Sequence, residues 1–221
     1  MKKQEQQTKK VILIATFISI QVVMTLIPFL GFIPLPAVNI TTLHIPTILA
    51  GILLGKKGGA IVGASFGVMS VINATIRPGL LSFMFSPFAP APEGFGANPL
   101  SLVVALAPRI LLGVAAALIY QFIKKKNWQL TINKSKDIKL GAATISAVVS
   151  TLLHTTAVLT LWILFFQAHI QAARGTQGIG SVLVFVGGII TTNAVFEAIL
   201  AGILMTGFVV ALEPLVKKMV N

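Results

Sequence analysis

The chain contains no cysteine. It therefore has no disulfide, no thiolate metal site and no thiol nucleophile. Acidic residues are almost as scarce: Asp and Glu together number five among 221 residues, against 17 Lys and Arg. Paired carboxylates for acid–base chemistry and mixed ligand sets for a metal are poorly supplied as a result. H-E-x-x-H, G-x-S-x-G and Walker A sequences are missing too, so any use of ATP must come from another subunit. The chain thus reads as a non-enzyme, with no cofactor and no metal. Charge of any sign is sparse: Asp, Glu, Lys and Arg make up 10% of the residues, where a soluble domain carries about 25%. With 56% hydrophobic residues and a mean hydropathy of +0.94, most of the chain has lipid or another helix as its solvent. A net charge of +12 would suggest nucleic acid in a soluble protein. Here the lysines flank apolar runs and form no basic groove, so they are read as topology signals and anionic-lipid contacts, with no nucleic acid as partner.

What is present is a regular alternation. All fourteen lysines fall in four places: the N-terminal tail, the connections LGKKGG and KKKNWQLTINKSKDIK, and the C-terminal tail. Long apolar segments separate them. Helices that cross a bilayer need about 20 residues, and cytoplasmic connections collect Lys and Arg. The pattern predicts an all-α membrane protein with six transmembrane helices and both termini cytoplasmic. The spans are Val11–Leu30, Leu43–Leu54, Gly59–Ile76, Leu100–Ile123, Leu140–Gln167 and Ser181–Leu212. The second is too short to cross upright at about 1.5 Å per residue, which makes it thin or partly re-entrant. Residues 1–10 and 213–221 become cytoplasmic tails around a single domain, 11–212. The first span is longer than a signal-peptide core and no A-x-A-like site follows it, so it is expected to be retained. Outer loops are expected at 31–42, 77–99 and 169–180. The second of these holds five of the eleven prolines and three glycines, yet also Phe83, Phe85, Phe88 and Phe95. No internal repeat of the kind common in secondary transporters is visible.

This topology leaves few polar residues to bear function. Glu5, Asp137 and Glu213 fall on the cytoplasmic side and Glu93 in the outer loop, leaving Glu197 as the only acid within a span. Arg109 lies within the fourth span. A charge at a helix centre costs about 2.5 to 3.5 kcal/mol on insertion scales and persists when paired or facing a polar cavity. Arg109 and Glu197 therefore either line a substrate site in the outer half or form a buried structural pair. Pro108, just before Arg109, frees backbone groups near that site. Asn73 and Asn193 can each read a hydroxyl or an amide, since Asn both donates and accepts; the alternative is interhelical bonding. His154 and Trp162 on the fifth span are further candidates, against a structural histidine and an interfacial tryptophan anchor. Arg77 adds a cation at the outer end of the third span. His44 and His169, at loop edges, carry little weight. Small residues recur at four-residue spacing as Ala15 and Ser19 on the first span and Gly59, Gly63 and Gly67 on the third. Such faces let helices approach closely: within the bundle for the third span, and within it or against a partner for the first.

The ordered set of these features resembles the substrate-binding S component of energy-coupling factor (ECF) transporters. The resemblance rests on size, on LHIPTILAGILLGKKGGAIVGASFG around the short second span, on RPGLLSFMFSPFAPAPEGFGANP entering APRILLG, and on TTNAVFEAIL in the last span. It covers the chain from Val11 on. It implies a high-affinity vitamin-binding subunit that loads from outside, joins a membrane coupling subunit and two ATPases, and topples to release the vitamin. The family's A-x-x-x-A motif, which meets the coupling subunit, corresponds to Ala15–Ser19, with Ser in place of the second Ala. The loops after the first and third spans correspond to lids. Arg77, Arg109 and Arg174 on the outer half favour an anionic vitamin over thiamine, and the loop and Pro-Arg segment look most like the pantothenate-specific members. Pantothenate offers a carboxylate to Arg and hydroxyl and amide groups to Asn. Folate and biotin are also anions and remain alternatives. From other classes, a membrane-embedded enzyme on lipid phosphates, clamped by Arg109 and Arg174, and a solitary proton-coupled transporter with Glu197 as relay are the rivals.

Overall fold

A computed structural model describes residues 2–27, 29–33, 40–125 and 136–220. The proline breakers Pro34 and Pro36, and the part of the basic connection that holds Lys126 and Lys134, lie outside the described residues. Helix α1 is Lys2–Leu26 and α2 is His44–Ile76. Helices α3, Leu100–Lys125, and α4, Lys136–Arg174, follow. Then α5, Ile179–Ile189, passes through a π turn, Ile190–Ala194, into α6, Val195–Val220. Among the described residues, five stretches are long and apolar enough to cross a membrane: Gln4–Leu26, His44–Ile76, Leu100–Lys125, Gly141–Arg174 and Ile179–Val216.

The second stretch is not one rod. Gly55 has φ 80° and ψ −172°, a conformation that glycine adopts without steric cost. A Cβ placed on Gly59 would lie 2.9 Å from the Cα of Gly51. In an unbroken helix those residues are about 12 Å apart along the axis. The two arms, 44–54 and 56–76, therefore fold back on each other at Gly55, within the LGKKGG segment.

The second arm packs along α3 through its glycines. A Cβ on Gly59 would overlap the Gly113 carbonyl, one on Gly63 the Arg109 carbonyl, and one on Gly67 would sit 2.8 Å from the Ala105 oxygen. The Gly59–Gly63–Gly67 face is thus consumed inside the bundle. Its partners run from residue 113 back to 105, so the two helices are antiparallel.

Several boundaries differ from the sequence expectation. The helix α1 starts at Lys2, and Lys9 bridges Glu5 at 2.7 Å one turn away, so the basic N-terminal residues are already helical. The 31–42 loop contains a small antiparallel pair, β1 (Phe32–Ile33) with β2 (Ile40–Thr41), in register Phe32↔Thr41. α4 continues past His169 to Arg174 because Gln171, Ala172 and Ala173 are good helix formers; Gly175, at φ 60°, ends it. The 77–99 connection turns inward: its 3-10 helix Ser82–Met84 is buried, as is Leu81.

The core is in two parts. One gathers Phe17, Leu43, Ile48, Phe66, Leu112, Tyr120 and Met205. The other gathers Phe83, Met84, Val104, Trp162, Phe166, Ile170 and Val186. A cavity with both polar and apolar lining adjoins the second part, sharing Val158, Leu159, Trp162 and Ile189 with it.

Candidate functional site

The cavity is built from five directions. α4 supplies His154, Thr155, Val158, Leu159 and Trp162, residues spaced three and four apart that fall on one helical face. α3 supplies Arg109, and the 77–99 connection supplies Phe85. Ile189, Asn193 and Glu197 follow at four-residue intervals across the π turn, and Thr41 of β2 closes the remaining side. A π turn inserted in a helix commonly marks a functional position, and here it carries Asn193. The cavity space is about 50 Å³, on a scale where one water takes roughly 10–15 Å³.

Arg109 is 4% exposed. Its Nη1 donates to the Val104 carbonyl at 2.7 Å. Its guanidinium carbon lies 4.8 Å from the centre of the Phe85 ring and 5.3 Å from that of Phe66. Two aromatic faces therefore stabilise the cation where water is excluded. Glu197, also buried, accepts the Thr41 backbone N–H at 2.8 Å through Oε1. No ion pair joins Arg109 to Glu197 among the described residues; Glu5 pairs with Lys9 and Glu213 with Lys124. The simple structural pair weighed from sequence is absent.

What distinguishes the cavity is its surplus of unpartnered polar atoms. Arg109 Nε, both ring nitrogens of His154, Thr155 Oγ1 and Trp162 Nε1 are buried with no hydrogen-bond partner among the described residues. Leaving a buried donor or acceptor unsatisfied costs about 1–3 kcal/mol each. Such groups clustered on one cavity are the mark of a site that completes itself with a ligand. The lining pairs these polar groups with an apolar wall of Phe85, Val158, Leu159, Trp162 and Ile189.

Five residues singled out from sequence thus meet in one place: Arg109, His154, Trp162, Asn193 and Glu197. Trp162 is 1% exposed, which removes the reading of it as an interfacial anchor. Asn73 is buried on the second arm of α2 but does not line the cavity. Arg77 lies outside it as well: its guanidinium donates to the carbonyls of Thr25 and Leu26, at 3.3 and 3.2 Å. These are orphan acceptors at the end of α1, which attract a nearby cation. Arg174 packs on the Phe185 ring at 4.3 Å, away from the lining.

Several residues were missed or discounted, Thr155 of the lining among them. Thr41 enters through its backbone amide, which residue type does not announce. Phe85 could be read as a lid residue but not as the support of Arg109. His44, discounted as a loop-edge histidine, is fully buried, with Nδ1 2.6 Å from the Thr41 carbonyl. His169, discounted with it, is half-buried within α4, and its ring lies 4.2 Å from that of Phe95 and 5.1 Å from that of Phe166. Among the described residues no three His, Cys, Asp or Glu side chains gather as a metal site requires.

Ala15 and Ser19 do not line this cavity. Both are exposed on α1, whose apolar stretch is 17% buried within the chain; the Ser19 hydroxyl is turned back to the Ala15 carbonyl at 2.9 Å.

Comparison with known proteins gives a consistent result. A family model described as "ECF transporter, substrate-specific component" matches residues 9–209. The chain is 35% identical over 216 residues to a pantothenic acid transporter, PanT, of Lactococcus lactis subsp. cremoris, covering 96% of each chain. It is 27% identical over 218 residues to a pantothenate transporter, PanT, of Leuconostoc mesenteroides subsp. mesenteroides, again covering 96% of each.

Proposed function

The chain belongs to the substrate-specific components of ECF transporters, and on that footing we propose that it binds pantothenate in the Arg109 cavity and delivers it to an ECF module. It is a vitamin-binding transport component and not an enzyme. The lipid-phosphate enzyme needed Arg109 and Arg174 on one ligand, whereas Arg174 lies outside the lining.

One observation carries the ligand assignment: buried, unpartnered groups on Arg109, His154, Thr155 and Trp162 converge on a cavity with one apolar wall. The set is rich in donors and holds a cation, so it favours an anion rich in acceptors. Pantothenate has a carboxylate at one end, an amide in the middle, and hydroxyls beside a methyl-bearing carbon at the other. Arg109 takes the carboxylate, His154, Thr155 and Asn193 take hydroxyl and amide groups, and Trp162 with Phe85 packs on the apolar centre. Both curated relatives are named for the same vitamin. Asn73 and Arg77, outside the lining, act indirectly: Arg77 holds the end of α1 to the 77–99 connection.

The same reading places six crossings in the membrane with both termini cytoplasmic. In support, the reversal at Gly55 beside Lys56 and Lys57 adjoins Gln121 near the end of α3, and Lys124 bridges Glu213 of α6 at 3.2 Å. Lysines from two connections therefore share one end of the bundle with Glu213 of the last helix, as cytoplasmic lysines do. The exposed Ala15–Ser19 face of α1 is assigned to the membrane coupling subunit, which works with two ATPases.

The test is thermal unfolding of the detergent-solubilised protein with pantothenate, folate or biotin. Pantothenate at about 100 times its Kd stabilises by about 2.7 kcal/mol. A shift with folate or biotin and none with pantothenate overturns the substrate and leaves family membership intact.

A further inference from the structure

We propose that Glu197 is a positioning residue: it clamps the β1–β2 hairpin over the cavity through the backbone of Thr41, and does not itself hold the vitamin. The hydrogen bond from Thr41 N–H to Glu197 Oε1, 2.8 Å long, joins segments 156 residues apart. The two-stranded hairpin leaves Thr41 with an amide on its open edge, and a buried edge N–H must find an acceptor. Glu197 provides it, and a carboxylate acceptor makes the bond stronger than a neutral one.

Thr41 is itself a hub. Its carbonyl contacts His44 Nδ1 at 2.6 Å, its hydroxyl donates to the Gly31 carbonyl at 3.2 Å, and the same hydroxyl oxygen accepts from Leu43 N–H at 3.2 Å. Every polar atom of Thr41 is therefore engaged. Only one of these bonds leaves its own neighbourhood, and that one ends on Glu197. The carboxylate thus sets where the hairpin and the start of α2 sit relative to α6. Thr41 and Glu197 both line the cavity, so this bond closes one of its walls. Ligand escape on that side requires the bond to open, which makes Glu197 a determinant of residence time.

The clamp rests on reading this cavity as the vitamin site, but its first test does not. Amide hydrogen exchange is followed in the full-length detergent-solubilised protein without ligand. Glu197→Ala should raise exchange in residues 40–43 by about tenfold or more, as expected for losing a hydrogen bond to a charged group, while segments of α3 and α4 keep their protection. Glu197→Gln, which retains an oxygen acceptor but not the charge, should exchange somewhat faster than the unaltered protein and well below the Ala variant. Glu197→Met keeps the volume without an oxygen acceptor; it should match Glu197→Ala and stands in if the Ala variant loses protection globally. The second readout is pantothenate kinetics. Dissociation should quicken about tenfold in the Ala or Met variant, with association changed far less, and Gln should restore most of the slow rate. Unchanged exchange at 40–43 in both the Ala and Met variants overturns the clamp. So does a Gln variant that loses affinity while its hairpin stays protected, since Glu197 would then contact the ligand through its charge. If pantothenate does not bind at all, the substrate assignment fails and the exchange data still decide the clamp.

Discussion

Pro108 and Arg109 act on the same carbonyl. In an α-helix the N–H of residue 108 would bond the oxygen of Val104, but proline has no N–H. Arg109 Nη1 fills that place at 2.7 Å. The imperfection in α3 is what fixes the guanidinium against the Phe85 ring and towards the cavity.

Pro108→Ala should accordingly weaken pantothenate binding without destabilising the protein. The new N–H takes the Val104 carbonyl and Arg109 loses its anchor, an interaction worth about 1 kcal/mol or somewhat more, so affinity falls several-fold. The ligand-free melting temperature should hold or rise, because proline is the poorest residue inside a helix. Calorimetric titration beside a thermal melt checks both; unchanged affinity would show that the orientation of Arg109 is set by its aromatic neighbours alone.

Arg109→Ala should cost at least about 30-fold in affinity, the usual loss on truncating one partner of a buried charged pair. Arg174→Ala, at an exposed position outside the lining, should stay within about twofold. The Arg109→Ala/Glu197→Gln double variant separates substrate binding from charge balance. If binding returns in the double variant, Arg109 served only to neutralise Glu197.

Gly113→Ala should destabilise the fold by about 1–3 kcal/mol, the cost of overpacking, because its Cβ would overlap the Gly59 carbonyl. Gly207→Ala is the matched control. Nothing lies within 4 Å of its added Cβ, so helix propensity should make it neutral or stabilising by up to about 1 kcal/mol. Opposite signs in thermal unfolding confirm that glycine serves α2–α3 contact and not helix flexibility.

Ala15→Phe or Ser19→Phe should leave pantothenate binding by the isolated protein unchanged and abolish uptake in cells. Both positions are exposed on α1 and outside the lining, and a ring there blocks close helix approach. Loss of binding by the isolated variant would show that this face matters to the fold itself.

Much of the site was legible because polar residues are so few. Within apolar helices, Arg109, His154, Asn193 and Glu197 each needed a reason to be there, and one cavity supplies it. The partners of those residues were not legible. Thr41 contributes an amide that every non-proline residue has. Phe66 and Phe85 flank Arg109, but an apolar side chain in an apolar chain carries no signal of its own. Arg77 was drawn to the site by its charge, while its geometry is set by the orphan carbonyls of Thr25 and Leu26, which depend on where α1 ends. The extension of α4 through His169 is not legible in the apolar pattern, which fades while the helix continues; Gly175 is the better stop signal. Strands of two residues, as in β1 and β2, are too short to show any period.

The short first arm of α2 has an electrical consequence. Residues 44–54 rise only about 16 Å from the turn at Gly55, roughly half the thickness of a hydrocarbon core. The cavity stands at the top of that arm, where Thr41 and His44 meet. In the proposed placement an anion seated there has already descended through about half of the transmembrane field before any ATP is spent. A full elementary charge crossing the whole field is worth about 2.3 kcal/mol per 100 mV, so capture alone sets the vitamin against a membrane potential that is negative inside by about half that amount. Loading would then weaken as the membrane hyperpolarises, and the voltage cost of uptake would be divided between an equilibrium step and a driven one.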